Sequence, residues 1–147
     1  MGRRKRRAQA PYTTTLFHQT SHMSAQAILE SQTMMCGRDG LAGGGIYFAA
    51  SLSETNRKAR SSGVILVCEV WLGEIYTVRD SWPGGSDRAL RCIHKDSVCL
   101  LRTGGAEYIV YQPNQVVSIR RHVPGGQTST HQARRAPTLN TNPPTLN

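Results

Sequence analysis

Aromatic side chains and acids are scarce in this chain, and long apolar runs are missing. Phe, Trp and Tyr together make up 6% of the residues and apolar residues of all kinds 38%, enough for a compact core but not a large one. No stretch approaches the roughly 20 consecutive apolar residues of a membrane-spanning helix, so a soluble protein with no membrane partner is expected. The basic start, Gly2–Arg7, is not followed by the apolar segment of a secretory signal. The four cysteines, Cys36, Cys68, Cys92 and Cys99, have no CxxC spacing and no His pair at zinc-finger distance. That argues against a structural metal or a disulfide framework, and Cys68, inside an apolar run, reads as a buried free thiol. Reduced cysteines fit an intracellular compartment, nuclear or cytoplasmic.

What is there in excess is positive charge, and it is unevenly placed. The 147 residues have room for one domain. The formal charge of +9 divides into five basic residues without an acid in residues 1–10, eleven basic against nine acidic residues in 11–123, and Arg134 and Arg135 beyond. The body is therefore close to balanced, which does not suit a nucleic-acid groove built into it. The GRRKRR run leaves three readings open: a nuclear-import address, a nonspecific phosphate-binding arm through which nucleic acid becomes a partner, or a solvated tail. From Pro124 the chain is rich in proline, poor in apolar residues and repeats PTLN, a composition that cannot offset chain entropy. The expected organisation is a disordered basic arm over 1–10, one domain over 11–123, and a disordered tail over 124–147.

Inside the body, hydrophobic periodicity predicts many short strands. Thr13–His18 reads as a strand, followed by a helix from about Ala25 to Glu30 capped by Ser24. Ile46–Ala49 is a short apolar strand. Ser51-Leu-Ser-Glu54 has capping-box spacing and should open a helix to about Arg60. In Val64–Leu72, Val64, Leu66, Cys68 and Val70 share one face. Strands are also expected at Ile75–Val78, Leu90–Ile93, Val98–Leu101, Glu107–Tyr111 and Gln115–His122. Two helices among so many strands make an α+β pattern with a largely antiparallel or split sheet. The GLAGGG stretch, Gly40–Gly45, precedes a strand, whereas Rossmann and Walker fingerprints precede a helix, so it is neither.

Three segments carry groups with chemistry in them. Leu16–Ser21 ends a strand in His18, whose ring can hydrogen-bond a sugar hydroxyl. Gly43–Ala49 combines glycines that admit close backbone approach to a ligand with Tyr47, an aromatic stacking face. Ala106–Tyr111 places Glu107, the last acid of the chain, directly after a Gly-Gly turn and on one face with Ile109 and Tyr111. Cleavage of an N-glycosidic bond builds positive charge on the sugar, and a fixed carboxylate beside it stabilises that charge. Taken singly, each segment also fits a plain structural role.

Taken together and in this order, the segments resemble the poly(ADP-ribose) polymerase catalytic domain, with its His-Tyr-Glu triad on three strands. LFHQTS is similar to the family's LFHGT, GGGIYFA to GxGIYFA, and VILVCEVWLG to ILLCEVALG; Asp96-Ser97-Val98 resembles its DSV element and EYIVYQPNQV its EYVVYxPxQV. The likeness spans about residues 14–121. It implies an ADP-ribosyltransferase fold of split, mostly antiparallel sheets, and an enzyme that takes NAD as substrate, needs no metal, and transfers ADP-ribose to an acceptor protein, with mono-ADP-ribosylation favoured. It further implies that His18 bonds the adenine ribose, the Gln19 backbone holds the nicotinamide carboxamide, Tyr47 packs on the nicotinamide ring, and Glu107 bonds the nicotinamide ribose. Thr20 and Gly45 fall within the matching motifs, and Thr55 lies near the position of a family Ser that meets the carboxamide. The sequence departs from the pattern at Gln19, where the family has Gly, and at Lys58, where it often has a second stacking Tyr. The alternatives are a fold that binds NAD or ADP-ribose without transfer, an NAD glycohydrolase, an RNA 2′-phosphotransferase, and a nucleic-acid-binding protein.

Overall fold

The structure, a computed structural model, describes residues 12–58 and 63–124. The basic arm and nearly all of the proline-rich tail lie outside these residues, as does the expected end of the second helix near Arg60. Seven strands run along the described chain: β1 (Thr14–Thr20), β2 (Ile46–Ala49), β3 (Val64–Val70), β4 (Ile75–Arg79), β5 (Ser97–Arg102), β6 (Gly105–Val110) and β7 (Val116–Arg121). The α-helices are α1 (His22–Ser31), α2 (Leu52–Lys58) and α3 (Asp87–Cys92). The strands form one sheet in the order β4-β5-β6-β2-β1-β3-β7, antiparallel throughout except for the parallel pair β4/β5. This is a small α+β domain with a mostly antiparallel sheet. No helix among the described residues is long and apolar enough to cross a membrane.

The sheet is nearly divided at its centre. β1 pairs with β3 over seven residues, but with β2 only at Phe17↔Ala49. Two separate apolar clusters are buried, the first of them spanning the divide between β1 and β2. One packs Leu16, Phe48, Leu66, Cys68, Val70 and Val110 against α1; the other joins Leu90 of α3 to Val98, Leu100, Ile109 and Tyr111. The expected alternation in β3 holds, since Val64, Leu66, Cys68 and Val70 are all buried.

Two sequence expectations are corrected. Leu90–Ile93 is not a strand: Asp87–Cys92 forms α3, with the Ser86 hydroxyl capping Ala89 N, Asp87 in the first turn and Arg91 in the last. The reason is topological. Parallel strands need a crossover between them, and α3 supplies it for β4 and β5 while inserting Leu90 into the second cluster. The cap of α1 is Ser21 instead of Ser24, its hydroxyl accepting from Ser24 N–H, and Met23 stands exposed on the helix.

A buried polar knot ties the far ends of several strands. Asp96 accepts from Glu74 N–H at 2.9 Å, Ser97 donates to Leu72 O at 2.8 Å, and the Gln115 amide donates to Trp71 O and Asp96 O at 3.0 and 3.1 Å. All three residues are buried, so these bonds satisfy backbone groups that water cannot reach. The Asp96-Ser97 and Gln115 elements of the motifs thus act in folding.

Candidate active site

The seam between β1 and β2 brings together four of the sequence-selected residues, His18, Thr20, Gly45 and Tyr47; Glu107, Gln19 and Thr55 are not in the lining of its cavity. His18 leaves β1 toward β2, and its Nδ1–H donates to Tyr47 O at 2.8 Å. A carbonyl can only accept, so the proton sits on Nδ1 and the other ring nitrogen, Nε2, carries the lone pair. Burial is the largest influence on the ring and, against the opposing effect of the bond to Tyr47, holds its pKa below the ordinary histidine value. A neutral imidazole therefore offers an acceptor, suited to a hydroxyl that donates to it.

Tyr47 is fixed at its hydroxyl, which donates to Gly43 O at 2.6 Å and accepts from Ala42 N–H at 2.9 Å. Burial first, then the nearby carboxylates of Glu107 and Asp39, push its phenol above the ordinary tyrosine value, while the bond from Ala42 works the other way. The phenol is thus a firm donor to Gly43 O, and it folds the loop 37–45 back over β2. Gly45 is buried where β2 meets β6. A Cβ there would stand 2.6 Å from Ile109 Cγ2 and 2.9 Å from Val110 O, so the position demands glycine for space alone.

Glu107 arrives by register. It pairs with Ala49 of β2, and Tyr47 pairs with Ile109 two residues on, so Glu107, Ala49 and Tyr47 share one face. Phe17, Ala49 and Glu107 form one row across β1, β2 and β6. At the usual strand spacing, that row sets the Glu107 backbone about 10 Å from the strand that bears His18. Arg102 Nη1 stands 3.9 Å from the Glu107 carboxylate.

The remaining expected residues divide. Thr20 follows His18 on the same face of β1. Gln19 lies on the opposite face, and its amide, turned with nitrogen toward Thr55 O and oxygen toward Gly63 N, makes two bonds of 3.2 Å. The Gln19 side chain therefore stays out of the seam. Its backbone faces β2: His122 N–H donates to Ile65 O, so Ile65 turns its polar groups to β7, and Gln19 opposite it turns its own toward β2. Gln19 is a β1 strand residue and is not among the positive-φ positions. Thr55 is buried in α2, and its hydroxyl donates to Ser51 O at 2.9 Å.

A cavity of about 500 Å³ opens at this seam between β1, β2, α1 and the loop 37–45. His18, Thr20, Gly45 and Tyr47 line it, together with an apolar wall that includes Ile28 and Met34; Asp39 is the one acid or base other than His18 in the lining. Its volume lies within the range of roughly 300–1,000 Å³ usual for small-molecule sites. No protein-family model matches the chain, and no curated protein matches its sequence. Among the described residues no group of three or more His, Cys, Asp or Glu is placed to hold a metal.

Two charged residues near the start of β6, Arg102 and Glu54, were not selected as site residues from the sequence. Arg102 pairs with Gly105 across β5 and β6, and the Glu54 carboxylate lies 2.9 Å from where a Gly105 Cβ would be. Glu54 was legible only as the last residue of a capping box, half of which forms: Glu54 N–H donates to the Ser51 hydroxyl at 3.3 Å. Its closeness to β6 depends on where α2 lies, which spacing does not encode.

Proposed function

We propose that this domain has the ADP-ribosyltransferase fold and is an NAD-dependent ADP-ribosyltransferase of the poly(ADP-ribose) polymerase type, favouring mono-ADP-ribosylation. The observation that supports the reading is that His18 and Tyr47 line one cavity at the β1/β2 seam, with Glu107, outside that lining, on the Tyr47 face of the neighbouring β6. Such a seam accommodates an extended dinucleotide. The neutral His18 ring accepts from an adenine-ribose hydroxyl at Nε2, with Thr20 beside it. The Gln19 backbone meets the carboxamide, Tyr47 packs on the nicotinamide, and Gly45 lets the ligand lie close to the strand.

In the reaction the C1′–N bond of the nicotinamide ribose breaks and its electron pair leaves with nicotinamide. Glu107 holds the 2′-hydroxyl and stabilises the cationic ribose that develops. A nucleophile of the acceptor protein supplies the pair for the new bond to C1′ and gives up its proton. No step requires a metal. The basic arm extends the acceptors to nucleic acid, and the thiols suit an intracellular, nuclear or cytoplasmic, site of action.

Binding of NAD or ADP-ribose without transfer is the second reading. Two observations favour it: Arg102 offsets the Glu107 charge, and the Thr55 hydroxyl is engaged with Ser51 O. Labelled NAD separates the readings. Nicotinamide release and transfer of label to protein or added nucleic acid, both reduced roughly 10²–10³-fold by Glu107→Gln, are expected for the transferase. Release without transfer identifies a glycohydrolase. Calorimetric NAD binding with no turnover refutes the enzyme and leaves the binding module.

A further inference from the structure

The wall of the cavity is braced from a direction no ligand reaches. Loop 37–45 lies between the cavity and a second loop, Ser81–Ser86, which the sequence offered only as a connection between elements. Trp82 N–H donates to Leu41 O at 2.8 Å, and Gly85 N–H closes back on Trp82 O at 3.1 Å. Backbone then meets backbone. A Cβ on Gly43, itself at φ +81°, would strike the Gly85 carbonyl, and one on Gly85 would strike Ala42 O and stand 2.7 Å from the Tyr111 hydroxyl. The glycines of the two loops fit each other, and neither tolerates a side chain at the contact.

Tyr111 locks this contact. It directly follows β6, its ring is buried in the α3 cluster, and its hydroxyl donates to Ala42 O. Trp82 covers it edge-on at 6.4 Å and rests in turn on Tyr76 at 5.2 Å. Both main-chain groups of Ala42 are therefore held by tyrosine hydroxyls: its N–H by Tyr47 from the cavity side, its carbonyl by Tyr111 from behind. Tyr47 reaches the ligand cavity, and Tyr111 is not in its lining. The loop is held in its ligand-facing shape before any ligand arrives, and binding then carries little ordering cost.

We propose that Tyr111, with Gly85 beneath it, is a positioning residue that acts through Ala42 to keep the Tyr47 loop in its binding conformation. The proposal deepens the ADP-ribosyltransferase reading and rests on it. It assigns a role in substrate binding to a residue that touches neither substrate nor reacting atoms. Tyr111→Phe keeps the buried ring and removes only the hydroxyl, so the loop loses its rear anchor while Tyr47 and Glu107 stay in place.

The test uses the full chain as wild type, Tyr111→Phe and Gly85→Ala, read by NAD kinetics, NAD calorimetry and hydrogen exchange of the ligand-free protein. The expected result is a KM and Kd for NAD raised roughly tenfold, with kcat within about twofold of wild type. Exchange should rise at the amides of Ala42 and Gly43 and remain as in wild type in β3 and β7. Unchanged KM and unchanged loop exchange in both variants overturn the proposal. So does faster exchange throughout the sheet, which marks a merely structural residue; Gly85→Ala supplies a second perturbation of the same contact from the other side. If wild type neither binds nor cleaves NAD, the transferase reading fails and the proposed role falls with it. That outcome is distinguishable because the exchange measurement needs no NAD.

Discussion

Gly45 gives the sharpest quantitative test of how the site is built, because space alone demands glycine there. Its φ is not in the left-handed region, so alanine brings no backbone strain. An alanine methyl would lie 2.6 Å from Ile109 Cγ2, 2.9 Å from Val110 O and 3.0 Å from Tyr111 Cδ1. Val110 belongs to β6, paired with Ile46, and its carbonyl cannot retreat without disturbing that pairing. Overpacking of this kind costs about 1–3 kcal/mol. For a domain this small each kcal/mol corresponds to roughly 4–8 °C in Tm, so Gly45→Ala should melt roughly 5–20 °C below wild type. Gly37→Ala is the control, from the opposite end of the same loop. Its nearest neighbour would be Gly45 O at 3.6 Å, an ordinary contact, and its φ is also unrestricted. That variant should melt at the wild-type temperature or slightly above, through the lost freedom of the unfolded chain. Calorimetric melting of the three proteins decides it. A Gly45→Ala protein within 2 °C of wild type would refute the claim that β6 closes this position.

The depressed pKa of His18 predicts that NAD binding weakens in acid only below the ordinary histidine range, when Nε2 becomes protonated and stops accepting; a calorimetric pH series whose acid weakening is unchanged in His18→Asn would contradict this. The sign for folding is the same: the unfolded chain takes up the proton first, so this histidine's contribution is complete above its unfolded pKa and is lost as pH falls through the depressed folded one. His18→Asn should remove that part of the acid dependence in a denaturant titration. Gln115→Ala deletes two buried hydrogen bonds and leaves a hole, and a loss of about 2–4 kcal/mol in urea unfolding is expected; under 1 kcal/mol would show that the knot contributes little. Burial pushes the Cys68 thiol up to about 12, so at pH 8 a thiol reagent should label exposed Cys92 quickly and Cys68 only on unfolding. Native-state labelling of Cys68 at a rate comparable to Cys92 contradicts the packing of the first cluster.

Local physics made much of the fold legible in the chain. Period-two alternation located β3 and its buried face, an apolar run marked β2, and Ser51-Leu-Ser-Glu54 marked the start of α2, because strand faces and helix caps are set by neighbours in sequence. The absence of a long apolar run was readable for the same reason. His18, Tyr47 and Glu107 could be picked out as residue types, but their placement could not: the cavity that His18 and Tyr47 share, and the Ala49↔Glu107 register that sets Glu107 on the Tyr47 face, join segments far apart in the chain. Leu90 carries the same apolar signal in a strand as in a helix, and only the parallel pairing of β4 with β5 made it α3. Asp96-Ser97 and Gln115 stood out beside the site motifs, and burial assigned them to a folding knot. Tertiary structure likewise joined the glycines of two separate loops, 37–45 and 81–86, because the fit of one backbone against another exists only once both loops have been brought together.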